Sequence, residues 1–227
     1  MNKMQKSIFR KIALACMVLL FGTQVFAQGR IELNPSSKGV QISESDFNGF
    51  RSTFSFNSIE SNAVKTEAGD FSVISIAKTV NGGELGGPAL PIARELVAVP
   101  FGATPVVKVV SYSTTDYKLS DYGINKVYPQ QPSYSKDTKF EDMVFHYNEK
   151  EYQSRAFATA PEVSFKVMGT MRGVQLGALQ VEPVSYDAAS NTIRVFNDIQ
   201  LEVVFENADI ALTEETLIKT YSPYFDV

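Results

Sequence analysis

Two residue types that serve covalent catalysis occur once each in this 227-residue chain, at Cys16 and His146. A cysteine or serine nucleophile needs a histidine base within hydrogen-bonding reach, and a tight turn often exposes the nucleophile. His146 lies in the sequence Val144-Phe145-His146-Tyr147 with no such turn beside it, and Cys16 lies in a segment that we expect to be removed. The sequence therefore predicts a structural or surface histidine and no catalytic residue in these 227 residues.

Carboxylates at Asp137, Glu141 and Asp142 are the side chains best placed in sequence to attract a cation such as calcium. Their spacing lacks the alternating oxygen pattern of a dedicated calcium loop, and a single histidine cannot assemble a histidine-based metal site. Paired carboxylates for glycoside cleavage always exist among 25 acidic residues, but no motif singles out a pair. We predict a solvated acidic turn, with no metal ion and no cofactor.

Residues 127–140 have neither a helical period nor strand alternation, and they lie between segments with strand character. Pro129 and Pro132 fix two φ angles and bias Tyr128 and Gln131 toward extended geometry. The backbone leading to Lys136 is therefore predicted to be polyproline-like and to stay outside any sheet. A presented, extended lysine is what the cleft of a peptidase accepts, although a solvated lysine in a surface loop has the same pattern.

The first 27 residues have the pattern of a secretory signal peptide. Four basic residues precede an apolar run at residues 12–21, and Val25-Phe26-Ala27 forms a small-x-small cleavage site before Gln28. This run of about ten residues is shorter than the roughly twenty that a membrane span needs. We therefore predict export to the periplasm, cell surface or medium without a stable membrane anchor. Lipidation of Cys16 is the minor interpretation, because only four apolar residues precede it.

Cleavage after Ala27 would change both charge and redox chemistry. It leaves 17 of the 21 basic side chains against all 25 acidic ones, so a nucleic-acid partner is excluded. It also removes the one cysteine, so the exported chain has no disulfide and must be held together by its core.

The remaining sequence predicts a flexible N-terminal arm at residues 28–49 and one domain at residues 50–227. Short β-branched and alternating segments are separated by turn signals, and the clearest is residues 199–205, where Ile199, Leu201, Val203 and Phe205 alternate with polar residues. Asn197-Asp198 is predicted to turn between this strand and one at residues 192–196. A helix of about two turns is predicted at residues 213–219, with Thr213 as N-cap. The predicted fold class is all-β, an antiparallel, jelly-roll-like β-sandwich with one short C-terminal helix.

Several segments, in the same order, resemble the N-terminal prodomain of the gingipains, which are exported cysteine endopeptidases. The most specific are Gln-Pro-Ser-Tyr-Ser-Lys at residues 131–136 and Gly-Thr-Met-Arg-Gly-Val at residues 169–174. The other matching segments are residues 54–57, 83–91, 96–100, 102–107, 183–187 and 222–225. The resemblance is greatest to the prodomain of the lysine-specific gingipain and covers roughly residues 50–225.

This resemblance implies a β-sandwich propeptide that assists the folding of its peptidase and blocks it until removed. The implied partner is the catalytic domain of a gingipain-like cysteine peptidase, which this chain lacks, and the implied specificity-pocket residue is Lys136. The accompanying loop residues are Tyr128, Pro129, Gln131, Pro132, Ser133, Tyr134, Ser135 and Asp137.

Two alternatives stay open from the sequence. Arg155 and Arg172 are other basic residues that could enter a specificity pocket, although Arg172 lies beside strand-like sequence. A cell-surface adhesin-like or carbohydrate-binding β-sandwich would need an exposed aromatic platform, for which Tyr128 and Tyr134 are the candidates.

Overall fold

The structure is a computed structural model that describes residues 29–153 and 157–221. The predicted signal peptide with Cys16, Ala27 and Gln28 lies outside these residues, as do Arg155 and residues 222–225. In chain order the described elements are β1 (Arg30–Glu32), β2 (Val40–Asp46), β3 (Gly49–Phe54), β4 (Ser58–Thr66), β5 (Gly69–Ile76), β6 (Thr79–Gly82), β7 (Leu90–Ala98), β8 (Thr104–Lys118), β9 (Lys126–Val127), β10 (Glu162–Met171), β11 (Val174–Glu182), β12 (Val184–Asp187), β13 (Thr192–Glu206) and α1 (Ile210–Thr220). Short 3-10 helices lie at Leu119–Tyr122, Phe140–Asp142 and Glu151–Gln153. The predicted all-β class with one short C-terminal helix is confirmed.

The described strands form three sheets. Their orders are β1-β4-β5-β9, β10-β11-β7-β6 and β12-β13-β3-β2, with β8 paired to β13 in the third sheet. Among these strands the pairings are antiparallel except for β9, which lies parallel to β5.

Strand β13 organises the third sheet because it is long enough to hold several partners. Strand β8 follows it from Thr192 to Glu206, while β12 and β3 share its other edge. The predicted alternation is confirmed, since Ile199, Leu201 and Val203 are buried in the core. The predicted turn at Asn197-Asp198 is wrong. It is a bulge inside one continuous strand, with Asp198 at φ 49° and a shift in the β8 register between Asn197 and Gln200.

Residues 29–49, predicted to be a flexible arm, contain two strands that belong to the sheets. Strand β1 pairs with β4, and its central Ile31 is fully buried. Strand β2 pairs with β3, although its own side chains are mostly exposed. A three-residue strand and a polar edge strand carry too little hydrophobic alternation to be recognised in a sequence.

Helix α1 begins three residues before the predicted start. Asp209 is the N-cap, and its carboxylate accepts a hydrogen bond from the amide of Leu212 at 2.9 Å. The predicted N-cap Thr213 is instead buried, and its hydroxyl donates to the carbonyl of Asp209 and accepts from the amide of Phe101. None of the described helices has the length and hydropathy that a bilayer span requires.

The apolar residues at 96–100 and 106–112 predict two well-buried strands. These strands exist as parts of β7 and β8, but they are not well buried. Leu96 is 67% exposed and Val110 is 54% exposed. Each strand has one solvent-facing side, so its apolar residues are divided between core and surface.

Candidate functional site

Between β9 and β10 the chain leaves the sheets, and this stretch carries the predicted Lys136 loop. We describe it as an outgoing leg at residues 128–135, a turn at residues 135–138 and a return leg at residues 143–148. The outgoing leg has no regular strand, as predicted, although Pro129 makes one isolated bridge to Pro88.

Gln131 joins the two legs through its side-chain amide. Its Nε2 donates to the carbonyl of His146 at 2.8 Å, and its Oε1 accepts from the amide of His146 at 2.9 Å. The same Nε2 also contacts the carbonyl of Pro129 at 3.0 Å. One amide side chain thus satisfies both backbone groups of His146, as a neighbouring strand would do.

Tyr134 makes a second junction closer to the turn. Its hydroxyl accepts from the amide of Val144 at 2.9 Å and donates to the carbonyl of Val144 at 2.8 Å. The apolar and aromatic residues at 143–147 predict a strand. This prediction is wrong, because the return leg pairs with the side chains of Gln131 and Tyr134 rather than with another strand. We call these two contacts the Gln131 brace and the Tyr134 brace.

The glycine-rich segment after β6 holds both legs at their base. The amide of Gly86 donates to Gln130 at 2.9 Å, while the carbonyl of Gly86 accepts from Asn148 at 2.9 Å. Gln130 in turn donates to the carbonyl of Gly87 at 2.7 Å. Gly86 has φ 78°, and a Cβ added there would lie 3.0 Å from the amide nitrogen of Asn148. The four glycines within residues 81–88 predict a chain reversal that needs positive φ, and this segment thus also anchors the Lys136 loop.

A cluster of aromatic rings lies beneath the legs. Phe71 of β5 contacts Tyr128, Phe145, Tyr147 and Tyr152, with ring centroids 5.5 to 6.4 Å away. The two legs and the Glu151–Gln153 turn therefore share one apolar base.

Burial affects the ionisation of two tyrosine hydroxyls, that of Tyr152 in this aromatic cluster and that of Tyr186 in β12. Tyr152 donates to the carbonyl of Val127 at 2.6 Å, and burial raises the pKa of its hydroxyl well above the usual tyrosine value. Burial likewise raises the pKa of Tyr186, which donates to Asn191 at 2.7 Å. Both phenols are therefore neutral hydrogen-bond donors in the folded protein.

Lys136 lies in a turn at the outer end of the loop. The amide of Thr138 donates to the carbonyl of Ser135 at 3.0 Å, and the Ser135 hydroxyl donates to the carboxylate of Asp137 at 2.8 Å. The side chain of Lys136 is exposed. The expected extended backbone therefore reaches Ser135 but does not continue through Lys136, because a local hydrogen bond closes a turn around it.

The other predicted loop residues divide into two groups. Tyr128, Pro129 and Gln131 belong to the base of the loop, where Tyr128 joins the aromatic cluster and Pro129 is buried. Pro132 is half-buried, whereas Ser133, Tyr134, Ser135 and Asp137 are exposed with Lys136. The carbohydrate-binding alternative loses Tyr128 as a platform, because this ring packs against Phe71 and Phe145.

Arg172, the other described basic candidate, lies in the two-residue turn between β10 and β11 with φ 53°. The carboxylates of Asp137, Glu141 and Asp142 are exposed, as predicted. Within residues 29–153 and 157–221, no three His, Cys, Asp or Glu side chains are grouped so that they could hold a metal ion.

Residues 30–220 match the family model described as Propeptide_C25. The chain belongs to the Propeptide_C25 family. As a member of this family, it corresponds to the propeptide region of gingipain precursors and not to their catalytic part.

Curated relatives of this Propeptide_C25 chain include Lys-gingipain HG66 and Lys-gingipain W83, both from Porphyromonas gingivalis. Each is 38% identical over 218 residues, which is 96% of this chain and 13% of the relative. The chain thus spans about an eighth of the length of the curated relatives that it matches.

Two solved structures resemble the fold. A structure that addresses the zymogenic latency of gingipain K from P. gingivalis has a TM-score of 0.75 and 39% identity, and the match covers 80% of this chain and 100% of that chain. A complex of the pro- and mature domains of P. gingivalis RgpB has a TM-score of 0.62 and 19% identity, with coverage of 81% and 97%. The second match shows a common fold.

Sequence reasoning missed the residues that hold the loop. Gln131 was noted as a loop residue but not as a brace, and Phe71, Tyr147 and Tyr152 were not connected to the loop. The signal that could have suggested the cluster is the spacing of Phe145 and Tyr147, which places both rings on one side of an extended segment.

Proposed function

We propose that this chain is the inhibitory and folding-assisting propeptide of an exported lysine-specific cysteine endopeptidase, with Lys136 in the specificity pocket of the enzyme. The observation that supports this proposal most directly is an exposed lysine at the tip of a braced loop, in a chain 38% identical to Lys-gingipains. The partner in this proposal is a gingipain-type catalytic domain.

Physical chemistry supports Lys136 as the contact residue. The four-carbon stem of a lysine can line an apolar channel while its ammonium meets an acidic group at the base of the pocket. The braces and the aromatic base order the loop before binding, so little conformational entropy is lost when it docks. As a central anchor, Lys136 should contribute about 2 to 4 kcal/mol to the binding free energy.

The test is inhibition of a lysine-specific gingipain-type peptidase by the protein starting at Gln28. We expect inhibition of this enzyme and little effect on an arginine-specific one. Lys136→Ala should raise the inhibition constant about 30-fold to 1,000-fold, as a loss of about 2 to 4 kcal/mol requires. Lys136→Arg should also bind less well, because a planar guanidinium does not fit a pocket shaped for an ammonium.

The matched control is Lys139→Ala. Lys139 is an exposed lysine three residues from Lys136, and its ammonium lies 3.9 Å from the carboxylate of Glu141. This variant should inhibit as the unsubstituted protein does. Unchanged inhibition by Lys136→Ala would contradict the assignment of Lys136 to the pocket, and a loss confined to Arg172→Ala would assign the pocket to Arg172.

Export and folding assistance need separate experiments. Sequencing the N-terminus of the protein recovered outside the cytoplasm should give Gln28 as the first residue, and retention of residues 1–27 would contradict a cleaved signal peptide.

The catalytic domain should regain activity after dilution from denaturant in higher yield when the propeptide is present. An equal yield with and without it would contradict a folding role.

A further inference from the structure

Besides the Gln131 brace, three hydrogen-bonded links close to the Lys136–Asp137 peptide bond connect residues before this bond to residues after it. The backbone link joins the carbonyl of Ser135 to the amide of Thr138 at 3.0 Å. The side-chain link joins the Ser135 hydroxyl to the Asp137 carboxylate at 2.8 Å. The third is the Tyr134 brace, which holds both backbone groups of Val144.

We propose that these links make the loop an inhibitor that resists cleavage, rather than a substrate that is consumed. This inference rests on the proposed function, because it assumes that Lys136 enters the pocket of a cysteine peptidase. Tyr134 and Ser135 are positioning residues in this scheme. They act on the Lys136–Asp137 bond through the backbone on either side of it.

The links affect both steps of peptide-bond hydrolysis. In the first step, the thiolate of the peptidase attacks the carbonyl carbon of Lys136, the carbon–nitrogen bond breaks, and the amine of Asp137 leaves with a proton from the general acid of the peptidase. A thioester to Lys136 remains. A free product would then diffuse away, and water would attack the thioester.

In this loop the amine of Asp137 cannot diffuse away from the thioester. Asp137, Thr138 and Val144 stay hydrogen-bonded to Ser135 and Tyr134, so the amine stays beside the thioester at a high effective concentration. It can attack the thioester carbon, re-form the peptide bond, return its proton and release the thiolate. The net result is no reaction, and the loop remains intact in the cleft.

Strand pairing in the sheets also holds the chain before the loop to the chain after it. Strands β3 and β8 precede the loop, whereas β12 and β13 follow it, and all four lie in one sheet. Strand β7 likewise pairs with β11 across the loop. The two halves of the chain are therefore held together independently of the Lys136–Asp137 bond.

Tyr134→Phe and Ser135→Ala test the proposal, because each removes only a hydroxyl. Tyr112→Phe is the matched control. Tyr112 is 38% exposed, compared with 37% for Tyr134, and its hydroxyl donates to the carbonyl of Thr159. Each protein starts at Gln28 and is mixed with a lysine-specific gingipain-type peptidase. Mass spectrometry follows cleavage between Lys136 and Asp137, and initial rates give the inhibition constant.

We expect Tyr134→Phe and Ser135→Ala to be cleaved about tenfold faster than the unsubstituted protein, since each loses hydrogen bonds that oppose opening of the loop. Their initial inhibition constants should rise less than that of Lys136→Ala, because Lys136 is still presented although the loop is less ordered before it docks. Tyr112→Phe should match the unsubstituted protein in both measurements. Equal cleavage rates for all four proteins would overturn the proposal.

A second enzyme separates this inference from the proposed function. A lysine-specific serine endopeptidase unrelated to gingipains also forms an acyl-enzyme, so it should cleave Tyr134→Phe and Ser135→Ala faster than the control. If Lys136→Ala still inhibits the gingipain-type peptidase as the unsubstituted protein does, the proposed function fails. The relative cleavage rates with the serine endopeptidase still test whether the links protect the bond. Equal rates with the serine enzyme would contradict the links even where inhibition depends on Lys136.

Discussion

Replacing Asn197 should expose how much of the stability of the domain depends on one buried amide. Asn197 lies in the bulge of β13, and its side-chain amide pairs with the backbone of Phe56 between β3 and β4. Its Oδ1 accepts from the amide of Phe56 at 2.8 Å, and its Nδ2 donates to the carbonyl of Phe56 at 3.0 Å. Both residues are buried. This contact joins the sheet that contains β3 to the one that contains β4.

Three backbone groups would lose this partner, the amide and carbonyl of Phe56 and the part-buried amide of Asp198, and the expected cost follows from the two buried groups of Phe56. Asn197→Ala removes the side chain that pairs with the backbone N–H and carbonyl of Phe56. Both backbone groups are then buried without a partner, and each unsatisfied group costs about 1 to 3 kcal/mol. We therefore expect the free energy of unfolding to fall by about 3 kcal/mol, a large part of the 5 to 15 kcal/mol typical of a folded domain. For a domain of this size, the melting temperature should fall by about 6 to 12 °C.

Asn197→Asp sharpens the test, because it keeps the acceptor and removes the donor. A carboxylate buried beside the carbonyl of Phe56 would have a raised pKa in the folded state. Its folded form would thus bind a proton more tightly than its unfolded form, so the variant should lose stability as the pH rises through that folded pKa. At acidic pH the neutral group can donate to the carbonyl again, and the difference from the unsubstituted protein should shrink.

Urea denaturation at several pH values measures both effects, with Asn125→Ala as the control. The side chain of Asn125 is exposed, so this variant should change the free energy of unfolding by no more than about 0.5 kcal/mol. A loss below about 1 kcal/mol for Asn197→Ala would refute the reasoning. So would a pH-independent penalty for Asn197→Asp.

Two further predictions concern the base of the Lys136 loop. Gly86→Ala should lower the free energy of unfolding by about 1 kcal/mol more than Gly123→Ala, measured by urea denaturation. Both glycines have φ near 70° to 80°, but an added Cβ meets the Asn148 amide only at Gly86 and has nothing within 4 Å at Gly123; equal losses would contradict the close approach. Tyr152→Phe should cost about 1 to 2 kcal/mol at neutral pH, because the carbonyl of Val127 loses its donor. Burial raises the pKa of Tyr152 in the folded state, so the protein should lose stability above about pH 10, where an unfolded tyrosine ionises. Tyr152→Phe should weaken this loss of stability. An unchanged alkaline unfolding transition in Tyr152→Phe would contradict this prediction.

Local patterns in the sequence were sufficient for much of the fold. The alternation of Ile199, Leu201 and Val203 predicted both a strand and its buried face, because apolar and polar residues alternate with a period of two in a half-buried strand. The same reasoning failed at Asn197-Asp198, where turn-forming residues lie in a bulge. Asn197 satisfies the backbone of Phe56, a residue 141 positions away in the sequence. No local pattern contains that information.

The candidate site shows the same limit. Prolines and the absence of alternation predicted that residues 128–135 lie outside the sheets, and Lys136 is exposed. The sequence did not show that Gln131 and Tyr134 substitute for a neighbouring strand, because His146 and Val144 look like strand residues whatever satisfies their backbone. It also predicted a lysine in extended backbone, whereas the hydrogen bond from Thr138 to Ser135 closes a turn there.

Strand β13 follows all of its partner strands in the chain, and this order limits how the third sheet can assemble. Ile199 pairs with Phe54, and Glu206 pairs with Thr104, so the central strand of the third sheet reaches partners made long before it. During synthesis, the edges of β3 and β8 that pair with β13 stay unpaired until β13 has been made. Topologies that depend on such distant pairings fold slowly and are prone to aggregate while incomplete. The third sheet therefore cannot close before residues 192–206 have been made.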